Sequence, residues 1–298
     1  MEMKFEKING STHLIKGNTN IGVYIFKNKF ALLVDSGIGV THGKKIDGVL
    51  KEKNLHPKYI INTHSHEDHC GGNPYFRKNY PGTLVYTSEK EKLYMENKEI
   101  RSFIICNSAP LKRFNKDRKP HNVDFVLDYG INKINDEKFE IISLKGHSHE
   151  QIGIITPDKV CFLGDCIFSE KILEKYSFPY LFNIEDSINT LKSLEEIDAD
   201  FFVIAHSDMV INKEELKSLV EKNLENIYNY IDQIYDLLDQ PLTKEDVLEN
   251  IIVLNELKLS KFDYFLNLTS ASAFLSYLYN NDKIDISLED GKMYYFKK

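Results

Sequence analysis

The segment His64-Ser65-His66-Glu67-Asp68-His69 places three imidazoles and the Asp68 carboxylate, four potential metal ligands, within six residues. It follows Tyr59-Ile60-Ile61, an apolar run that reads as a buried strand. Imidazoles two residues apart on extended chain point to the same side, and a turn after the strand can bring Asp68 and His69 round to a second ion. The spacing predicts a two-metal site, and the ligand types suit zinc, iron or manganese.

Three further candidates stand where other strand-like runs end: His147 after residues 141–146, Asp165 after 160–164, and His206 after 202–205. In layered α/β proteins the C-terminal ends of strands form the binding crevice, so segments distant in sequence can converge there. A lone histidine or Gly-Asp pair carries little weight by itself. Crowded together without a cation, three imidazoles and a carboxylate would be electrostatically wasteful. His13, His42 and His56 lack such spacing and are assigned surface or loop roles.

The elements that must position these groups read as alternating strands and helices. Residues 23–26 and 30–34 flank Lys27-Asn28-Lys29 as a hairpin, residues 44–53 look helical, and a strand over 58–62 delivers the histidine cluster. Strands are also expected at 83–86, 139–144, 151–156, 160–163 and 201–205. This order, without a short repeat, points to a layered α/β domain. Between residues 89 and 122 the pattern gives way to a helix and a long loop bearing Lys98, Arg101, Lys112, Arg113, Lys116, Arg118 and Lys119. Such a basic insertion is either a solvated surface segment or a lid that captures an anionic substrate.

Residues 213–240 form a long helix in which Val220, Leu224, Ile227, Ile231, Ile234 and Leu238 make a narrow packing seam, over the tail or over a second protomer. Thr243 and Asp246 can cap the helix after Pro241, residues 257–281 supply a second helical region, and strands at 284–288 and 293–296 flank an Asp-Gly turn. Two helices and a hairpin suggest a winged-helix-like tail. Residues 262–280, where a reading helix would fall, contain no Lys or Arg, which disfavours DNA reading. A dimer surface, a wall of the cleft and a nucleic-acid contact are the uses considered for this tail, in that order.

At 298 residues and 42% hydrophobic, the chain can bury one large core with a small appendage. A net charge of −7 argues against a surface built to grip nucleic acid. No apolar run is long enough to span a bilayer, and the first residues do not resemble a signal peptide, so a cytoplasmic location is expected. The four cysteines, Cys70, Cys106, Cys161 and Cys166, form no C-x-x-C pair and are expected to be reduced; Cys166 is assigned to the core.

In order along the chain, Leu33-Val34-Asp35-Ser36-Gly37, His64-x-His66-x-Asp68-His69 with Gly71-Gly72, Gly146-His147-Ser148, Leu163-Gly164-Asp165 and Ala205-His206-Ser207 resemble the motifs of metallo-β-lactamase-superfamily hydrolases. The resemblance covers roughly residues 20 to 210. It implies an α/β fold, a four-layer αββα metallo-β-lactamase-like sandwich, here followed by the small α+β tail. The expected division is a catalytic domain over 1–212, a connecting helix over 213–240 and a winged-helix-like tail over 241–298. It also implies two zinc ions per chain: one on His64, His66 and His147, the other on Asp68, His69 and His206, with Asp165 bridging. Asp35 would stand behind the ligands and orient an imidazole.

Two cations sharing a water lower its pKa from about 15.7 towards 7, so a metal-bridging hydroxide is the expected nucleophile, oriented by Asp68. The chain is accordingly read as a metal-dependent hydrolase of a small ester, thioester, lactone or phosphoester. A metal-dependent ribonuclease and an iron-containing redox or sensing protein are the alternatives. A β-lactamase is disfavoured by the absence of an export signal. Two motifs depart from the family's pattern. Ser148-His149-Glu150 stands where many members have a Pro- and Gly-containing turn, making His149 a candidate proton donor or substrate contact. Ala205-His206-Ser207 replaces the common Gly-His-Gly.

Overall fold

A computed structural model of the chain describes residues 3–97, 99, 100, 104 and 120–298. The seven basic residues of the expected lid, and Cys106, lie outside these.

Strands β3 (Ile21–Ile25), β4 (Phe30–Val34) and β5 (His56–Ile61) sit at the centre of a sheet; β3 and β4 are apolar on both faces, and β5 becomes so at its Ile60-Ile61 end. Successive side chains go to opposite sides, as the two-residue strand period requires. Ile21, Val23, Ala31, Leu33 and Ile60 pack with Ile46 and Leu50 of helix α1 (Gly39–Glu52), Phe76 of α3 (Asn73–Asn79) and Met95 of α4 (Glu89–Glu96). Tyr24, Leu32, Val34 and Ile61 turn the other way and meet the second sheet.

The first sheet runs β1 (Lys4–Asn9), β2 (Thr12–Lys16), β3, β4, β5, β6 (Leu84–Thr87) and β7 (Phe125–Val126), antiparallel as far as β4 and parallel beyond. The second runs β13 (Val210–Ile211), β12 (Phe201–Val203), β11 (Val160–Phe162), β10 (Ile152–Ile155), β9 (Glu137–Ser143) and β8 (Gly130–Ile134), with only β11 and β12 parallel. Phe139, Ile141, Ile152, Ile154 and Phe162 fill the space between the sheets. Helices α6 (Ile184–Ser193) and α7 (Lys213–Leu237) cover the outer face of the second sheet, completing the αββα order. Two short helices, α2 (Glu67–Cys70) and α5 (Glu170–Lys175), lie in the loops after β5 and β11.

The seam of α7 is satisfied within the chain. Val220, Ile227, Ile231, Ile234 and Leu238 are buried in one cluster with Ile188 and Leu191 of α6 and Phe202 of β12. Val247 and Ile251 of α8 (Lys244–Leu254), Phe274 and Leu278 of α9 (Lys261–Asn280), and Ile284 belong to the same cluster. Reciprocal side-chain caps start all three helices: Asn212 with Glu215, Thr243 with Asp246, and Ser260 with Asp263. The Ser260 cap explains why α9 begins at Lys261 rather than at the expected residue 257. Strands β14 (Ile284–Glu289) and β15 (Lys292–Lys297) close the tail through Asp290-Gly291, both at positive φ (49° and 76°), which a tight two-residue hairpin turn demands.

Candidate metal centre

Every expected ligand lies just beyond the C-terminal end of a strand: His64–His69 after β5, His147 after β9, Asp165 after β11 and His206 after β12. Pairing of the two sheets face to face brings these ends to one edge. His64, His66, His147 and Asp165 each offer an atom to one cluster, and Asp68, His69, His206 and Asp165 to another, with the atoms of each cluster within 4.8 Å of one another. Asp165 belongs to both. The rings of His64 and His69 lie 4.0 Å apart and those of His66 and His147 4.7 Å apart.

The outer partner of each ring decides which nitrogen faces inward. His147 Nδ1 donates to the Tyr180 carbonyl (3.0 Å) and His206 Nδ1 to the Asn18 carbonyl (2.7 Å), since a carbonyl can only accept. His69 Nδ1 donates to Asp35 Oδ2 at 2.7 Å. Thr63 Oγ1 donates to the same oxygen (2.9 Å) and so accepts from His64 Nδ1 (3.0 Å). Four rings therefore turn Nε2 inward, while His66 presents Nδ1, 2.9 Å from His147 Nε2. Nitrogens this close either share a hydrogen bond, with the proton on His66 Nδ1, or face a common cation. Buried Nε2 atoms of His64 and His69 and Oδ1 of Asp165 have no hydrogen-bond partner, a pattern that suits a cation site. The residues present fit a dinuclear metal site.

Charge divides the centre in two. Burial lowers the His64 and His147 pKa values, keeping these imidazoles neutral; nearby His69 adds to the effect and Asp165 opposes it only in part. Burial also disfavours charge on His69 and His206, but Asp165 and Asp68 overcome it, pushing His206 up to about 11 and His69 well above its ordinary value. Conversely, Asp165 and Asp68 stay far below the usual carboxylate range despite burial, because His69 and His206 face them. Two carboxylates thus demand positive charge, from protons or from metal.

The surrounding wall comes from both sheets and the tail. Asn20 of the β2–β3 loop donates to the carbonyls of Ile204 (3.0 Å) and Ser207 (2.7 Å), gripping the His206 loop. Gly146, at φ +125°, lets α6 close on His147, since a Cβ there would stand 2.5 Å from the Ser187 backbone. Tyr180 lays its ring against His66 (5.5 Å) and His147 (5.6 Å), and Phe168 packs on His147 (5.9 Å). The segment around Tyr180 is anchored from the tail: Ser270 Oγ of α9 accepts from Leu181 N (3.1 Å) and lies 3.3 Å from the Pro179 carbonyl. His149 belongs to neither cluster; it stands between Tyr94, Lys90 and Phe182. Cys166 is buried in the core cluster, and burial drives its thiol pKa well up. Thr63, Tyr180 and Glu91, whose carboxylate is buried beside the ligand loops, were not anticipated; only Thr63, adjacent to His64, had a local signal.

The metallo-beta-lactamase superfamily pattern matches residues 14–206, and the chain belongs to that superfamily. Curated relatives include a hydroxyacylglutathione hydrolase of Prochlorococcus marinus (strain MIT 9312), 28% identical over 169 residues, covering 56% of this chain and 57% of that one. The hydroxyacylglutathione hydrolase GloC of Haemophilus influenzae is 28% identical over 143 residues, 47% of this chain and 62% of that protein. The chain thus spans little more than half the length of these relatives. A metallo-beta-lactamase family protein from Thermus thermophilus shares the fold with a TM-score of 0.72 at 16% identity, over 100% of this chain and 99% of that one. A beta-lactamase domain protein from Burkholderia ambifaria does so with a TM-score of 0.76 at 14% identity, over 99% and 94%. Both cover the tail as well as the sandwich.

Proposed function

We propose that this chain is a dinuclear metal hydrolase, with zinc as the native metal, acting on a small ester, thioester, lactone or phosphoester. The observation that carries the reading is the pair of ligand clusters sharing Asp165 within 4.8 Å. Thioesters come first among these substrates because the curated relatives are named hydroxyacylglutathione hydrolases. His64, His66 and His147 would hold one cation, Asp68, His69 and His206 the other, and Asp165 both.

The chemistry supplied by divalent cations in such a pair is Lewis acidity and the acidification of water, from a pKa of about 15.7 towards 7. Asp68, whose side chain is 35% exposed, is the candidate to accept a hydrogen bond from the attacking water and orient it. Tyr180 and Phe168 shield the rings they touch from bulk solvent. His149 suits substrate contact better than proton donation. The Lys90 ammonium must donate to its Nε2 (2.9 Å), so the ring proton sits on Nδ1 and is engaged by Tyr94 (2.6 Å).

We place the protein in the cytoplasm; no disulfide links Cys70, Cys161 and Cys166, and no described helix is long and apolar enough to cross a membrane. The decisive experiment is a panel of esters, thioesters, lactones, phosphodiesters and single-stranded RNA offered to the zinc-loaded protein. Turnover of a small ester or thioester, lost in Asp165→Asn, is expected. Turnover surviving in that variant would defeat the reading, and RNA cleavage that collapses with added salt would replace it with a nuclease. Iron in protein purified from its native host, with a visible absorption band, would replace zinc.

A further inference from the structure

Glu91, in α4, has a carboxylate that is 0% exposed and forms no salt bridge with Lys or Arg among the described residues. Its Oε2 accepts from the backbone N–H of Ser65 (2.9 Å), while Oε1 accepts from Ser148 Oγ (2.7 Å) and from the backbone N–H of Glu150 (3.0 Å). The start of α4 adds to the grip: Ser88 Oγ donates to the Glu150 carbonyl (2.7 Å) and Lys90 N to Glu150 Oε2 (2.8 Å). Ser65 lies between His64 and His66, and Ser148 follows His147. One acidic side chain therefore clamps both loops that supply imidazoles to one cluster, and touches no segment that supplies only the other.

A desolvated carboxylate is a costly way to join two loops, because an apolar contact would do so without removing a charge from water. What it adds is direction: three donors converge on two oxygens and fix the relative placement of the loops. Two of those donors come from the Ser148-His149-Glu150 segment.

We propose that Glu91 is a positioning residue for one of the two cations, setting the geometry in which His64, His66 and His147 converge. The inference rests on the dinuclear reading above. It is tested by titrating chelator-stripped protein with zinc against a competing chelator, and with cobalt followed by its visible absorption. Wild type is expected to take up two ions in two resolved steps. Glu91→Gln, which keeps one accepting oxygen and turns an amide N–H₂ towards a donor, should weaken one step by about 10–100-fold and leave the other within about threefold. Repeating the titration in a His206→Ala background identifies the weakened step as the one that remains when the other cluster is crippled. If Glu91→Gln does not fold, Ser148→Ala removes one donor from the clamp and should produce the same selective weakening, smaller in size. Equal weakening of both steps, or a lowered melting temperature with both affinities intact, would make Glu91 ordinary structural glue and overturn the proposal alone. A wild type that binds fewer than two ions would overturn the dinuclear reading and this proposal with it.

Discussion

An imidazole can hold a cation only through a nitrogen that carries no proton, so the groups behind the ligands matter as much as the ligands. Asp35 is the central one: it accepts from His69 Nδ1, Thr63 N and Thr63 Oγ1, and does so from a backbone at φ +66°. Asparagine tolerates that conformation, so Asp35→Asn removes charge with little backbone strain. Metal affinity should fall about 10–100-fold in a chelator competition, and unchanged affinity would reduce Asp35 to a loop tether. A second carboxylate tests stability instead of metal binding. Burial would raise the pKa of Asp47, yet hydrogen bonds from Lys51, Tyr75 and Tyr80 hold it below its ordinary value. A depressed carboxylate stabilises the fold above its unfolded pKa, about 3.9, and loses that contribution as pH falls through the folded value. Asp47→Asn should thus cost about 1–3 kcal/mol at pH 7 and progressively less below about pH 4, read from urea melts at several pH values. A gap that stays constant with pH would count against the ionised form. Strand-end histidines and aspartates were legible because type and spacing are local. Glu91 and the Tyr180 carbonyl were not, since each acts on a residue more than twenty positions away.

Secondary structure followed the same division. Residues 30–34, 160–163 and 201–205 read as strands because their apolar runs are uninterrupted, and they emerge as β4, β11 and β12. The β1–β2 hairpin escaped notice because Lys4, Glu6 and Lys7 break up its apolar residues, as befits a strand at the edge of a sheet. Helix α1 begins at Gly39, ahead of the expected residue 44, without a side-chain cap to announce its start. Where a cap exists it can be tested: Thr243→Ala breaks the reciprocal pair with Asp246 and should cost about 1 kcal/mol in chemical denaturation. Gly146→Ala is a harsher case. The new methyl would meet backbone of Ser187 at 2.5 Å, so α6 must retreat or His147 must move. A loss of at least about 2 kcal/mol is expected, together with weakened metal binding. A variant as stable as wild type would show that α6 yields freely at this contact.

At the scale of the molecule, one apolar cluster links β12, α6, α7, α8, α9 and β14. We treat the boundaries at 212 and 240 as divisions of sequence order, and propose that the parts do not melt separately. Urea unfolding followed by tyrosine fluorescence and by metal release should give coincident transitions, and a resolved early step for residues 241–298 would contradict this. Ile234→Ala, in the middle of the cluster, should lower stability by about 2–5 kcal/mol. How the tail would pack was hidden in the sequence because the seam of α7 specifies an apolar stripe without naming its occupant. Ser270 holds the backbone on both sides of Tyr180. A chain cut short after Leu238 would surrender more than mass: with α9 gone, nothing from that side braces the carbonyl that steers His147. The far end of the polypeptide is in this sense a buttress of the catalytic edge, and losing it is expected to show first as leakage of bound metal.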